Sequence, residues 1–213
     1  QGSELWEHTY HCANGEVHTL QNMAQALDNS CNLWFIQAAQ TLQPTVFYDY
    51  IRAFGFTQPT GVDLPSETRW TSVYNAQQMA EVDTNLYTAA FGQNEAITPM
   101  QMATAIAAIA NGGYLVTPYI VDSITDDAGN IISQTDTSVR RQVISEEVSQ
   151  EILSMMENNV EPNGTLSTRH SCKNAYVAGY RIGGKSGTAE RTDRHLRGDG
   201  DYYKAMSFAA VLP

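Results

Sequence analysis

The chain is 213 residues long, enough for one large domain or two small ones with a real core, and 42% hydrophobic with 9% aromatic content is the make-up of a globular protein. Twelve Lys and Arg against 23 Asp and Glu leave a formal charge of −11, which excludes a nucleic-acid binder driven by phosphate contacts. Three cysteines (Cys12, Cys31, Cys172) are too few for a disulfide scaffold, and the longest apolar run, Ala105 to Ala110, is far too short to cross a bilayer.

Helices are expected first and strands later. Thr19 is placed to cap a helix reaching about Leu27, with Leu20, Met23 and Leu27 on one face; a second runs from Leu33 to Leu42. Pro44 and Thr45 open a third, with Val46, Tyr50 and Ile51 inward and Gly55 as its stop; Gln58 to Pro65 reads as a loop crossed by a short extended piece. Thr98-Pro99-Met100 begins the clearest helix, which ends at Ala110 before Asn111-Gly112-Gly113, and its Ala and Ile on several sides predict burial nearly all round. A hairpin follows, Tyr114 to Thr125 and Ile131 to Gln134 about a turn at Asp127 to Asn130. Ser145 caps an amphipathic helix to about Asn159, with Val148, Ile152 and Met155 or Met156 inward. Two strands, Val177 to Ala189 and Lys204 to Leu212, flank a polar loop from Glu190 to Asp201. Helices around a late antiparallel hairpin indicate an α+β fold: one domain over 1–213, helical over about 1–113, with hairpin, helix and motif-bearing strands over about 114–213.

Charge is uneven along this order. Residues 1–139 carry only Arg52 and Arg69 against 14 acids, net −12, whereas residues 140–213 carry 10 basic and 9 acidic residues, net +1. An anionic group would be drawn to the later part. The histidines show no HExxH spacing and no CxxC occurs; His8, His11, Cys12 and His18 lie close in sequence but match no structural zinc pattern, so neither metal nor cofactor is expected.

Two short signatures carry chemistry. Lys185-Ser186-Gly187-Thr188 falls on an expected strand, and a K-[ST]-G-T match arises by chance on the order of once in a hundred chains this long. Ser30-Cys31-Asn32 falls between two expected helices and means little alone. Together, in this order, they are two members of the S-x-x-K, S-x-N, K-[ST]-G set of penicillin-interacting serine enzymes.

Longer stretches point the same way. Thr60 to Glu67 (TGVDLPSE), Phe91-Gly92-Gln93, Ile97 to Ala103, Ala110 to Gly113 and Gly179 to Ala189 resemble segments of the transpeptidase domain of class B penicillin-binding proteins. His11-Cys12 through Asn32 is closest to the sporulation-type branch. The resemblance implies the serine β-lactamase/penicillin-binding transpeptidase-like fold, an antiparallel sheet flanked by helices. It implies a serine D,D-transpeptidase that cross-links peptidoglycan stem peptides and is acylated by β-lactams, with an N-terminal membrane anchor, a catalytic domain on the extracytoplasmic face, and other cell-wall synthesis proteins as partners. Ser30 and Lys185 would relay protons to the leaving amine and Asn32 would bind the donor amide. Ser186 and Thr188, on one face of a period-two strand, would hold the terminal carboxylate, Gly187 would admit substrate backbone, and the Ala189 amide would serve the oxyanion hole. The bland reading of Lys185 is an edge-strand lysine, and of Ser30 and Asn32 a helix cap.

No S-x-x-K occurs in these residues. The expectation is a domain cut at both ends, its nucleophile upstream of Gln1, its sheet short of strands, and the edge beside Lys204 to Leu212 exposed or paired with another copy. Two other readings stand beside this one: a non-catalytic sensor or binding module that kept the fold, and a serine β-lactamase, against which no E-x-x-L-N follows Asn32. Sporulation-type relatives are expected to carry cysteines at positions like Cys12 and Cys31. Separated by 19 positions, the two thiols form either a redox-labile pair, whose closed loop would contribute roughly 3 kcal/mol, or two separate buried groups.

Overall fold

A computed structural model of the chain describes residues 10–12, 15–68, 71–162, 171–195 and 202–212, with the backbone alone at 191–195 and 202. His8 and stretch 196–201 of the expected polar loop lie outside the described residues.

The first half is helical. In α1 (Met23–Asp28) the Asn22 side chain accepts from the Gln25 amide at 2.9 Å while Gln25 accepts from the Asn22 amide at 3.0 Å. This reciprocal box outcompetes Thr19 as the start, so Leu20 stands exposed instead of facing inward. α2 (Asn32–Gln40) follows after a tight junction, and α3 (Pro44–Ala53) has proline in its first turn and ends before Gly55 at φ +89°. Val46 and Tyr50 of α3, expected inward, are exposed; Ile51 is the buried one. Two helices that the pattern did not announce complete this half, α4 (Ala76–Glu81), with its own Asn75–Gln78 box, and α5 (Asp83–Ala90). α2 lies along α5 and α3 along α4, closing a core of Ala39, Ile51, Met79, Leu86 and Ala89.

α6 (Pro99–Ala110) begins at the Thr98 cap as expected but is buried on one side only; Met102, Ala103 and Ala107 face solvent. Its buried Gln101 donates from Nε2 to the carbonyls of Gly55, Phe56 and Gln58, at 3.4, 3.3 and 2.8 Å, tying the end of α3 to α6.

The long strand expected over 114–125 is broken in two. β1 (Tyr114–Val116) pairs antiparallel with β4 (Val139–Gln142), while β2 (Ser123–Thr125) and β3 (Ile131–Gln134) form the anticipated hairpin. Between β1 and β2, Pro118 has no N–H, and the Ile120 and Val121 amides donate to the Asp63 carboxylate, each at 2.8 Å. From β4, Arg141 donates to the last carbonyls of α3, at 2.7 Å to Ala53 and 3.1 Å to Arg52, a cation at the negative end of the helix.

α7 (Glu146–Val160), capped by Ser145, buries Met156 and leaves Val148 exposed. It packs on β5 (Gly183–His195), which pairs antiparallel with β6 (Tyr202–Val211). β5 starts later than expected and continues through 190–195, because Glu190 and Arg191 find partners in Lys204 and Tyr203. A Cβ on Gly183 would lie 2.9 Å from Val211 and 3.1 Å from Met156, and one on Gly184 2.6 Å from Phe208, so this pair of glycines lets the helix meet strand backbone. The fully buried Asn159 donates to the Gly184 carbonyl at 2.9 Å and to the Cys172 sulfur at 3.3 Å, and accepts from Ser171 at 2.9 Å. The architecture is α+β. Among the described residues no helix is long and apolar enough to cross a membrane.

Glu95, beside the Ser72–Ala96 bridge, has a buried Oε1 with no hydrogen-bond partner, and burial pushes its carboxyl from 4.5 up to about 7. At Glu95 the folded chain therefore binds the proton that the unfolded chain has released, so this group's contribution to stability falls as pH rises from about 4.5 to about 7. The fall attributable to Glu95 is at most about 3 kcal/mol. In urea denaturation across that range, Glu95→Gln is expected to flatten the decline; an unchanged slope would show that another group carries it.

Candidate active site

The junction between α1 and α2 is built by backbone geometry. Cys31 N–H donates to the Ala26 carbonyl at 2.9 Å and Ser30 N–H to the Leu27 carbonyl at 3.1 Å, the two bonds of a Schellman motif. Ser30 occupies the left-handed position that glycine normally fills, with φ at +51°. A side chain there costs on the order of 1 kcal/mol. Its hydroxyl accepts from Lys185 Nζ at 3.0 Å, across 155 positions of sequence.

Lys185 sits on β5 immediately after the two glycines under α7. Its ammonium also donates to the Ser186 carbonyl at 2.6 Å, so it bends round the open edge of the strand towards the junction. Burial holds its pKa below the usual lysine value, against the opposing electrostatic pull of Cys172 and the Asp28 carboxylate. Asp28 is almost fully buried at the end of α1. It was missed from sequence, and the available signal was an acid two places before S-x-N at a helix end.

Cys31, not Ser30 or Asn32, is the N-cap of α2, and it makes no side-chain cap bond. Asn32 is the first residue of α2 and donates from Nδ2 to the His11 carbonyl at 3.0 Å. Neither Ser30 nor Asn32 is therefore the N-cap of α2; Ser30 instead belongs to the C-terminal cap of α1. Cys12 comes to the same place: its sulfur is 3.5 Å from that of Cys31, both buried and both free thiols.

Alternation along β5 decides which amide is available. The Gly184 carbonyl goes to Asn159, and both the N–H and C=O of Glu190 go to Gln93, whose Nε2 donates at 3.0 Å and whose Oε1 accepts at 3.3 Å. Even-numbered backbone groups thus point away from β6 over a register that is regular from Gly183 to Arg191. The outward amide in the motif belongs to Thr188, while that of Ala189 turns into the ladder opposite Ala205. The oxyanion role expected for Ala189 is corrected accordingly. At Gly187 the space of a Cβ is filled by Ser207 Oγ of β6, 2.6 Å away, so its close neighbour is its own sheet. Ser186 and Thr188 share one face of β5, half-buried and exposed respectively.

Strain at residue 30 is testable. Ser30→Gly is expected to leave unfolding free energy unchanged or raise it by up to about 1 kcal/mol, since relief of the left-handed strain offsets loss of the Lys185 bond. Ser30→Ala keeps the strain and drops the hydroxyl, and should destabilise by about 1 kcal/mol. Urea denaturation ranks the two; a glycine variant less stable than the alanine one would refute the strain.

Comparison with known proteins identifies the family. The family described as "Penicillin binding protein transpeptidase domain" matches residues 3–213. Stage V sporulation protein D of Bacillus subtilis is 36% identical over 203 residues, covering 92% of this chain and 29% of that protein. The peptidoglycan D,D-transpeptidase FtsI homolog of Mesostigma viride is 31% identical, covering 90% and 33%. Penicillin-binding protein 3 of Mycobacterium tuberculosis, solved with aztreonam, superposes with a TM-score of 0.78 at 26% identity, covering 90% of this chain and 42% of that one. Penicillin-binding protein 2B of Streptococcus pneumoniae gives 0.71 at 28% identity, covering 90% and 33%. The chain spans about a third of the length of those two curated relatives. Its fold is theirs, and it belongs to the penicillin-binding protein transpeptidase domain family.

Proposed function

We propose that this chain supplies the S-x-N and K-S-G-T walls of a peptidoglycan D,D-transpeptidase that joins stem peptides through a serine acyl-enzyme and is acylated by β-lactams. The observation that carries the reading is the 3.0 Å contact of Lys185 Nζ with Ser30 Oγ. A buried ammonium held below its usual pKa and bonded to a hydroxyl forms a chain along which a proton reaches a departing amine. Thr188 N–H, on the open edge of β5, is the donor placed for a carbonyl oxygen gaining negative charge. Ser186, Thr188 and the Lys185 charge suit the carboxylate that ends a D-Ala-D-Ala peptide, Gly187 keeps the strand there without a side chain, and Asn32 suits the donor amide. The attacking serine and its lysine base belong to a Ser-x-x-Lys segment outside these 213 residues. The working protein would act on the extracytoplasmic face of a bacterial membrane, among other cell-wall synthesis proteins.

Two further expectations remain as proposals. Cys12 and Cys31, 3.5 Å apart at sulfur, would form a pair that a two-electron thiol oxidant of the extracytoplasmic space closes to a disulfide, with both thiol protons lost, pulling the S-x-N turn out of line. β6, with Met206 and Phe208 exposed and Leu212 exposed just beyond it, would be the edge through which copies associate.

Labelled penicillin tests the main reading. The 213-residue chain is expected to form no covalent adduct, whereas a longer protein that includes the Ser-x-x-Lys segment is expected to form one. In the longer protein, Lys185→Ala should slow acylation by about 100-fold or more. A stable adduct on the 213-residue chain, or full-speed acylation of the Lys185 variant, would overturn the assignment.

A further inference from the structure

Three ligating side chains meet where α2 begins. The sulfurs of Cys12 and Cys31 and a ring nitrogen of His18 all lie within 4.8 Å of one another, and the two sulfurs are 3.5 Å apart. Two thiolates about 2.3 Å from one ion at the tetrahedral angle sit about 3.8 Å apart, so the pair already has nearly the spacing of two zinc ligands. Both sulfurs are buried.

His18 supplies the second, independent observation. Neither of its ring nitrogens makes a hydrogen bond, although both are buried. A buried polar atom without a partner calls for a reason, and a missing ion is one of them. The Glu16 carboxylate stands 3.6 Å from Nε2, within reach of a carboxylate's usual role of orienting a metal-bound imidazole.

We propose that Cys12, His18 and Cys31 form a binding site for a thiophilic divalent cation of the zinc class, with one coordination position left open. Binding exchanges the two thiol protons for the cation; both protons leave to solvent, and no group is oxidised or reduced. Two thiolates and an imidazole select zinc over magnesium or calcium. The ion would fix Cys31, and with it the turn that presents Ser30 and Asn32 on either side. It would also hold the two sulfurs apart from oxidation, since a disulfide leaves no thiolate to bind. The C-x5-H-x12-C spacing matches no familiar zinc pattern, which is why the site is invisible until the chain folds. The inference does not rest on the transpeptidase reading, because it is read from ion binding alone.

Cobalt(II) is the probe, added to the full 213-residue chain under reducing, oxygen-free conditions. One equivalent should bind with a thiolate-to-cobalt charge-transfer band and the strong visible absorption of a tetrahedral site, and zinc(II) should bleach both. Cys12→Ser should remove about half the charge-transfer intensity, His18→Gln should weaken binding at least about 10-fold, and Cys172→Ser should change neither. His18→Gln keeps both cysteines, so the test stands even if the Cys12 variant fails to fold. Absence of the band from the natively folded chain would overturn the proposal. So would undiminished binding in both the Cys12 and the His18 variants, which would place the ion elsewhere.

Discussion

The structure depends on the approach of a helix to bare strand backbone. α7 meets β5 at Gly183 and Gly184, where any side chain would collide with Val211, Met156 or Phe208. The gap is bridged by one amide, Asn159, which satisfies the Gly184 carbonyl in a place water does not reach. That contact sets the height of β5 against the helices, since α7 also touches α1 and α6. Lys185 is the next residue, and its reach to Ser30 is a consequence of where Gly184 is held.

Stability and chemistry pull against each other at that reach. The ammonium loses water on burial and is only partly compensated by Asp28 and Cys172. Ser30 keeps a side chain at a position where the backbone favours none. Two unfavourable terms thus lie on opposite sides of a single hydrogen bond, and the surrounding packing has to offset both.

Sequence carried the parts of this that depend on local chemistry. Thr98, Pro99 and Ser145 start their helices as read, because capping is decided within four residues. K-S-G-T lies on a strand and S-x-N between helices, as their patterns implied. Competition and long-range pairing were out of reach. Asn22 displaced Thr19 because it has Gln25 as a reciprocal partner. α4 buries only Met79 and is too short for its period to stand out. Residues 190–195 became strand because β6 offered partners, and the choice between the Thr188 and Ala189 amides needed the parity of the ladder. His18 joins two cysteines from different parts of the chain, a meeting that no spacing rule encodes.

Gln93 has a consequence for what can lie along β5. Its amide pairs with both backbone groups of Glu190 as a neighbouring strand would, at the end of the open edge. At the other end the carbonyls of Gly184 and Ser186 are taken by Asn159 and Lys185. Between these stops, the Ser186 amide and the Thr188 amide and carbonyl face outward. An extended peptide docking there finds a berth about two residues long, closed at both ends by side chains. The free stretch of edge is thus short: the side chains at its two ends interrupt the continuous ladder by which exposed strands aggregate.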